Sequence, residues 1–271
     1  MNAELFPFPV APLILFCSII TSLTAGWLYG RRRVSVDTPI LVSVAVGLLS
    51  ARISFVMRYL PAYRKDFLTV LDIRDLGFDL IPGIVAGGCL MLWYFARQRS
   101  FRGPLLVAIV AGATVWIAAS AVTTISKPPQ SVPAVSLLDV NGEREPVAGR
   151  DGHPTVLNLW ATWCAPCQAE MPLLAEAQAS HQDINIVFVN QGETHDRVFD
   201  YLDSHGLQVK HVLLDPGLVI SRAISVSGYP TTLFYDSKGN LLGRHVGPFS
   251  RATFADAINQ FYSRTETRSI P

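Results

Sequence analysis

The chain has little charge, little cysteine and no histidine in its first 130 residues. Only 16% of its residues are charged and the formal net charge is +1, so no positive excess points to a nucleic-acid partner. Two of its four cysteines, Cys17 and Cys89, stand alone in apolar runs. A free cysteine in such a setting usually behaves as a small hydrophobic residue. The other two lie close together and are the stronger candidates for chemistry.

Long apolar segments fill the first half of the chain. A helix needs about 20 residues to cross a hydrocarbon core of about 30 Å, and four segments are close to that length. They cover residues 13–30, 39–60, 78–96 and 104–125. We therefore expect an all-α region of four transmembrane helices over residues 1–126, in contact with a lipid bilayer.

The basic residues of the short loops predict the orientation of these helices. Loops rich in Lys and Arg tend to stay in the cytoplasm. The loop after the first segment carries Arg31, Arg32 and Arg33, and the loop after the third carries Arg97, Arg99 and Arg102. The loop after the second segment is also basic, with Arg64, Lys65 and Arg74. This modest bias predicts that both termini lie outside the cytoplasm. Residues 127–131 read as a short stiff linker.

Residues 132–271 have the pattern of a globular α/β domain. Short apolar runs predict strands at 135–140, 155–160, 184–190, 209–214, 231–235 and 241–246, and helical patterns predict helices at 165–180, 195–205, 217–224 and from Ser250 to about 262. Strands alternate with helices first, and a hairpin comes late. The order predicts a mixed sheet flanked by helices.

The run from Trp163 to Cys167 contains two cysteines separated by two residues. It follows a predicted strand and precedes a predicted helix, which is typical of a redox dithiol. One thiolate attacks a disulfide of a partner, and the other thiol resolves the mixed disulfide. A half zinc site is disfavoured because structural zinc wants four ligands, and we expect no metal. A purely structural disulfide is the other alternative.

Three segments in order resemble the TlpA/ResA-like branch of thiol–disulfide oxidoreductases, which have the thioredoxin fold. They are the segment from Asn158 to Pro172, the Gly228–Thr232 segment and the Val189–Glu193 segment. The resemblance covers roughly residues 132–265. It implies a disulfide reductase without a cofactor, anchored to the bacterial inner membrane and facing the periplasm. Its partners would be periplasmic protein thiols and disulfides, with cytochrome c maturation as one candidate, and an unidentified electron donor.

The resemblance also assigns roles to individual residues. Cys164 would begin the helix, where the dipole favours its thiolate, and would attack, while Cys167 would resolve; together they would form the redox-active disulfide. Pro230 would follow a cis bond, and the backbone of Tyr229 would bind an extended substrate. Trp163 and Pro166 would shape the substrate surface.

Two further positions separate the chain from ordinary thioredoxins. Asn158 stands where thioredoxins have a buried aspartate, and an asparagine does not titrate. Glu193 resembles the acid that this branch places near the dithiol, where a partly buried carboxylate can transfer protons. The alternative for Glu193 is a solvated loop residue.

Several alternatives remain open. Parts of residues 10–120 faintly resemble the prolipoprotein diacylglyceryl transferases, but the histidine that this family uses is missing. A thiol peroxidase and a non-catalytic binding module are others, and Cys17 and Cys89 could form a redox relay in the membrane. Arg52 within the second apolar segment suggests either a substrate site or an ion pair, for instance with Asp79.

Overall fold

The computed structural model describes residues 10–30, 36–64, 67–125, 135–147, 151–226 and 228–262. The predicted linker at 127–131 and the arginines at 31–33 lie outside these residues. The chain divides into two compact units, drawn chiefly from Phe8–Val70 with Leu76–Lys127 and from Pro128–Pro271.

The first unit is all helical. Its helices are α1 (Val10–Gly30), α2 (Asp37–Arg58), the short α3 (Leu60–Tyr63), α4 (Leu80–Arg97) and α5 (Arg102–Ile125). Among the described residues, four stretches are long and apolar enough to cross a membrane: Leu13–Gly30, Asp37–Arg58, Leu80–Arg97 and Arg99–Val122. They coincide with the four predicted segments to within a few residues at each end.

Small residues bring α2 and α4 together. A Cβ atom added to Gly87 would lie 2.9 Å from the carbonyl oxygen of Ser43, and one added to Gly83 would lie 3.0 Å from that of Gly47. Helices in membranes associate through such close backbone packing because lipid is as apolar as the helices, so that the hydrophobic effect does not drive their association. A larger side chain at either glycine would push the pair apart.

The suggested ion pair between Arg52 and Asp79 is wrong. Asp79 instead binds Arg58, with 3.0 Å between Oδ2 and Nη2, and accepts a hydrogen bond from Ser54. Arg52 is buried and donates to the carbonyl oxygens of Thr69, Val70 and Gly77. Sequence spacing across two helices does not determine which basic residue meets the carboxylate, and Arg52 instead secures the segment that connects α2 with α4.

The second unit is built on a seven-stranded sheet. The strands are β1 (Ser136–Asp139), β2 (Arg144–Pro146), β3 (Thr155–Trp160), β4 (Asn185–Gln191), β5 (Val212–Asp215), β6 (Thr231–Tyr235) and β7 (Leu241–Val246). Their order is β2-β1-β5-β4-β3-β6-β7. The β3–β4 and β4–β5 pairs are parallel and the remaining pairs are antiparallel. The sheet is thus mixed, as predicted.

Helices cover both faces of this sheet. They are α6 (Ala165–Ser180), α7 (His195–Ser204), α8 (Val219–Ala223) and α9 (Arg251–Phe261). Alternate residues of a strand face opposite sides, so Val156 and Trp160 of β3 pack with α6, α7 and α9, whereas Leu157 and Leu159 pack with α8. A mixed sheet between helices fits the thioredoxin fold that the motifs implied.

Candidate active site

The two cysteines of the motif lie at the junction between β3 and α6. Cys164 is the N-cap residue of α6, and its Sγ accepts a hydrogen bond from the backbone N–H of Cys167 at 3.3 Å. The unpaired amides of a helix N-terminus and the helix dipole both favour negative charge on such a sulfur. The two sulfurs form a disulfide, with the Cα atoms 5.2 Å apart. Pro166 lies between them in the first turn, where the missing N–H costs little.

The cysteines differ in exposure. Cys164 is 5% exposed, whereas Cys167 is fully buried. Trp163, which directly precedes Cys164, is 62% exposed, and Pro166 is exposed as well. A partner therefore reaches the sulfur of Cys164 first, beside two exposed apolar side chains.

The loop before β6 lies at the same end of the sheet. Thr231 pairs with Leu159, so Pro230 is level with Trp160 at the end of β3. The bond between Tyr229 and Pro230 is cis, as the motif implied, and Pro230 is buried. The rings of Tyr229 and Trp163 pack edge to face, with 6.1 Å between centroids and 66° between planes. The structure thus brings together the predicted substrate-binding residues from two distant segments.

Glu193 is buried, so the interpretation as a solvated loop residue is wrong. One carboxylate oxygen accepts from the hydroxyl of Thr162 at 2.6 Å, and the other accepts from the N–H of Thr162 at 2.7 Å and from Asn190 at 2.8 Å. Arg197 forms an ion pair with it at 3.0 Å. The side chain of Glu193 therefore holds the loop that carries Trp163 and Cys164.

A second buried carboxylate, that of Glu170, was missed by the sequence analysis. Burial raises its pKa to about 7, against the opposing effect of hydrogen bonds from the N–H of Phe249 and the amide of Asn158. Residues three apart on a helix are neighbours, so Glu170 lies one turn beyond Cys167 on the same side of α6. The three-residue spacing between Cys167 and Glu170, on a helix predicted to flank the sheet, was the sequence signal that could have identified Glu170.

Asn158 connects Glu170 to the opposite strand. Its Nδ2 donates to Glu170 at 2.8 Å and to the hydroxyl of Thr232 at 3.0 Å, while its Oδ1 is buried without a hydrogen-bond partner among the described residues. A hydroxyl can donate or accept, and an amide can exchange its two ends. A flipped Asn158 would therefore accept from a protonated Glu170 and from Thr232, so that this triad can accommodate both charge states.

Within the described part of the chain, no three His, Cys, Asp or Glu side chains come together as a metal site. The chemistry available is thus that of a dithiol at a helix end, a buried acid one turn away and an aromatic pair at the surface. These groups suit thiol–disulfide exchange.

Comparison with known proteins gives the same class. The Redoxin family matches residues 127–260. Over 169 residues the chain is 33% identical to the thiol-disulfide oxidoreductase ResA of Bacillus subtilis, and the alignment covers 60% of this chain and 93% of ResA. The protein is a thiol–disulfide oxidoreductase.

More specifically, the chain belongs to the family of thiol-disulfide oxidoreductases that includes ResA. It is 27% identical to the thiol:disulfide interchange protein HelX of Rhodobacter capsulatus, over 68% of this chain and 95% of HelX. Among solved structures, a thiol:disulfide interchange protein of Chlorobium tepidum is 26% identical, with a TM-score of 0.44 over 50% of this chain and 97% of that one.

Proposed function

We propose that this protein is a disulfide reductase anchored in the bacterial inner membrane, with its dithiol domain in the periplasm. The observation that carries the proposal is the position of Cys164 at the N-cap of α6. Its side chain is slightly exposed, so that a partner's sulfur can reach it, whereas Cys167 is fully buried. The four apolar helices serve as the anchor. Protein disulfides are the substrates, with those of cytochrome c maturation as one candidate.

The exchange takes place in two steps. The Cys164 thiolate attacks a substrate disulfide, which forms a mixed disulfide and releases one substrate sulfur as a thiolate. Cys167 then loses its proton and attacks the Cys164 sulfur, which releases the second substrate sulfur and leaves the Cys164–Cys167 disulfide. Two electrons pass to the substrate, and an electron donor that remains to be identified restores the dithiol.

Glu170 is the proposed acceptor of the Cys167 proton. A general base works best when its pKa is close to the working pH, and burial raises that of Glu170 to about 7. Glu193, bound to Thr162, Asn190 and Arg197, has the role of positioning the loop. The substrate strand binds to a surface formed by Tyr229, Pro230, Trp163 and Pro166.

Substitution of the two cysteines tests the proposal. Cys164→Ser should abolish reduction of a protein disulfide, because the attacking sulfur is gone. Cys167→Ser should instead accumulate a mixed disulfide between Cys164 and its partner, visible on a non-reducing gel and identifiable by mass spectrometry. Reduction by Cys164→Ser at the wild-type rate would contradict the mechanism.

Cys89→Ser is the matched control. Cys89 lies in α4 as a free thiol, so its replacement should leave both reduction and trapping unchanged. A loss of dithiol regeneration in membranes that contain Cys89→Ser would instead support the alternative of a redox relay through the membrane.

A further inference from the structure

A chain of hydrogen bonds lies behind Tyr229. Its hydroxyl is 2.9 Å from Oγ of Ser221, and that Oγ is 2.6 Å from Oε1 of Gln191. Ser221 has one hydroxyl hydrogen and the carbonyl oxygen of Gln191 can only accept. Ser221 therefore donates to Gln191, and Tyr229 donates to Ser221. All the hydrogen bonds in this series thus run in one direction, from Tyr229 through Ser221 to Gln191.

Both supporting residues are removed from solvent. Gln191 is 2% exposed and Ser221 is 7% exposed. Gln191 ends the central strand β4, and Ser221 lies in α8. Outward rotation of the Tyr229 ring would break its hydrogen bond to the buried Ser221 hydroxyl. The bond therefore favours the orientation in which the ring lies beside Trp163.

The end of β4 also holds the other half of the aromatic pair. Glu193, two residues beyond Gln191, binds the N–H and hydroxyl of Thr162, the residue before Trp163. One strand end thus secures Trp163 through Glu193 and Tyr229 through Ser221. The two rings, with centroids 6.1 Å apart, are thus both supported from the end of β4.

We propose that Ser221 and Gln191 are positioning residues that hold Tyr229 against Trp163, so that this pair selects substrates with an aromatic side chain beside the cysteine under attack. The inference rests on the proposed function. A third ring can pack against an exposed indole and a fixed phenol, and aromatic pairs gain free energy beyond the area that they bury. Apolar anchors next to the reacting group are also where interfaces concentrate their affinity.

The test uses the reduced full-length chain in detergent and two peptides. Each peptide has one internal disulfide, and the residue before each cysteine is Phe in one peptide and Ala in the other. Under single-turnover conditions, in which each dithiol reduces one disulfide, wild type should reduce the Phe peptide with a second-order rate constant about fivefold higher. Ser221→Ala should bring that ratio close to one, chiefly by raising the peptide concentration at which the single-turnover rate for the Phe peptide is half-maximal.

Two variants make the result specific. Ser221→Thr keeps the hydroxyl and should keep the ratio. Among the described residues, the Ser204 hydroxyl bonds only within its own helix and to the next residue, so Ser204→Ala should also keep the wild-type ratio. The equilibrium of the dithiol with glutathione should be the same in Ser221→Ala and wild type, because the dithiol itself is untouched.

A wild-type ratio in Ser221→Ala would overturn the inference, and so would an equal loss on both peptides or a shifted glutathione equilibrium. Reduction of both peptides by wild type at equal rates would overturn the inference alone. A wild type that reduces neither peptide would overturn the proposed function, and the inference with it.

Discussion

At the scale of single residues, the protonation of Glu170 couples the active site to stability. Its pKa is raised from 4.5 to about 7 because burial disfavours the charged form. Below pH 4.5 the carboxyl is neutral in both folded and unfolded chains and has no effect. Between about 4.5 and 7 only the unfolded chain ionises, so rising pH favours unfolding, and above 7 the penalty stays constant.

We therefore expect Glu170 to lower the free energy of unfolding of the oxidised protein by about 3 kcal/mol between pH 4.5 and pH 8. The Glu170→Gln variant has no carboxyl at this position. Between pH 4.5 and pH 8 its free energy of unfolding should therefore fall by about 3 kcal/mol less than that of wild type. Urea unfolding at several pH values measures both. An identical pH dependence in the two proteins would show that Glu170 does not have the raised pKa.

At the scale of elements, the loop between β3 and α6 depends on the end of β4. Thr162→Val keeps the shape of the side chain but removes the hydroxyl that donates to Glu193 and accepts from Arg197. Hydrogen bonds to charged groups contribute about 2 kcal/mol. We expect a loss of stability of that order and faster hydrogen exchange of the backbone amides at 162–164, measured by mass spectrometry.

The neighbouring Thr194 provides the control for this loop. It is exposed and its side chain makes no capping hydrogen bond to α7. Thr194→Val should therefore change neither stability nor exchange at 162–164. Equal effects of the two substitutions would mean that the loss of a hydroxyl, rather than its contact with Glu193, is responsible.

Elements with strong apolar patterns were predictable from the sequence, and weakly patterned ones were not. The predicted strand at 155–160 and the predicted helix at 165–180 agree with β3 and α6, whose apolar patterns are clear. Strand β2 was not predicted, because its three residues Arg144–Pro146 have no apolar pattern; among the described residues they pair with β1 alone. The predicted strand at 209–214 began too early for β5, because His211 adopts a φ of 54° and strand geometry starts only after it.

The site divides in the same way. Motif spacing predicted the Cys164–Cys167 pair, and the family resemblance of Gly228–Thr232 implied the cis bond before Pro230, since each depends on a short local segment. Glu170 was not predicted, because its importance arises from contacts with Asn158 and Phe249 that are 12 and 79 residues away. The spacing from Cys167 places Glu170 on the same side of α6, but local sequence does not show that distant contacts bury the carboxylate.

At the scale of the whole molecule, the charge of the loops predicts which compartment the dithiol faces. Arg97, Arg99 and Arg102 lie at the turn between α4 and α5, and all are exposed. We predict from the positive-inside rule that this turn stays in the cytoplasm. The dithiol domain, which follows α5 in the sequence, is then predicted to lie on the other side of the membrane, where disulfides persist.

Two introduced cysteines test this orientation in a variant whose four native cysteines are serine. Ser100→Cys lies in the turn between α4 and α5, and Ser180→Cys lies at the end of α6; both positions are exposed. In intact spheroplasts a membrane-impermeant maleimide should label Ser180→Cys and leave Ser100→Cys unlabelled. Detergent should make both reactive, which controls for accessibility. The reverse labelling pattern would place the dithiol in the cytoplasm, where thiols are mostly reduced. That result would contradict the proposal of a reductase that faces the periplasm.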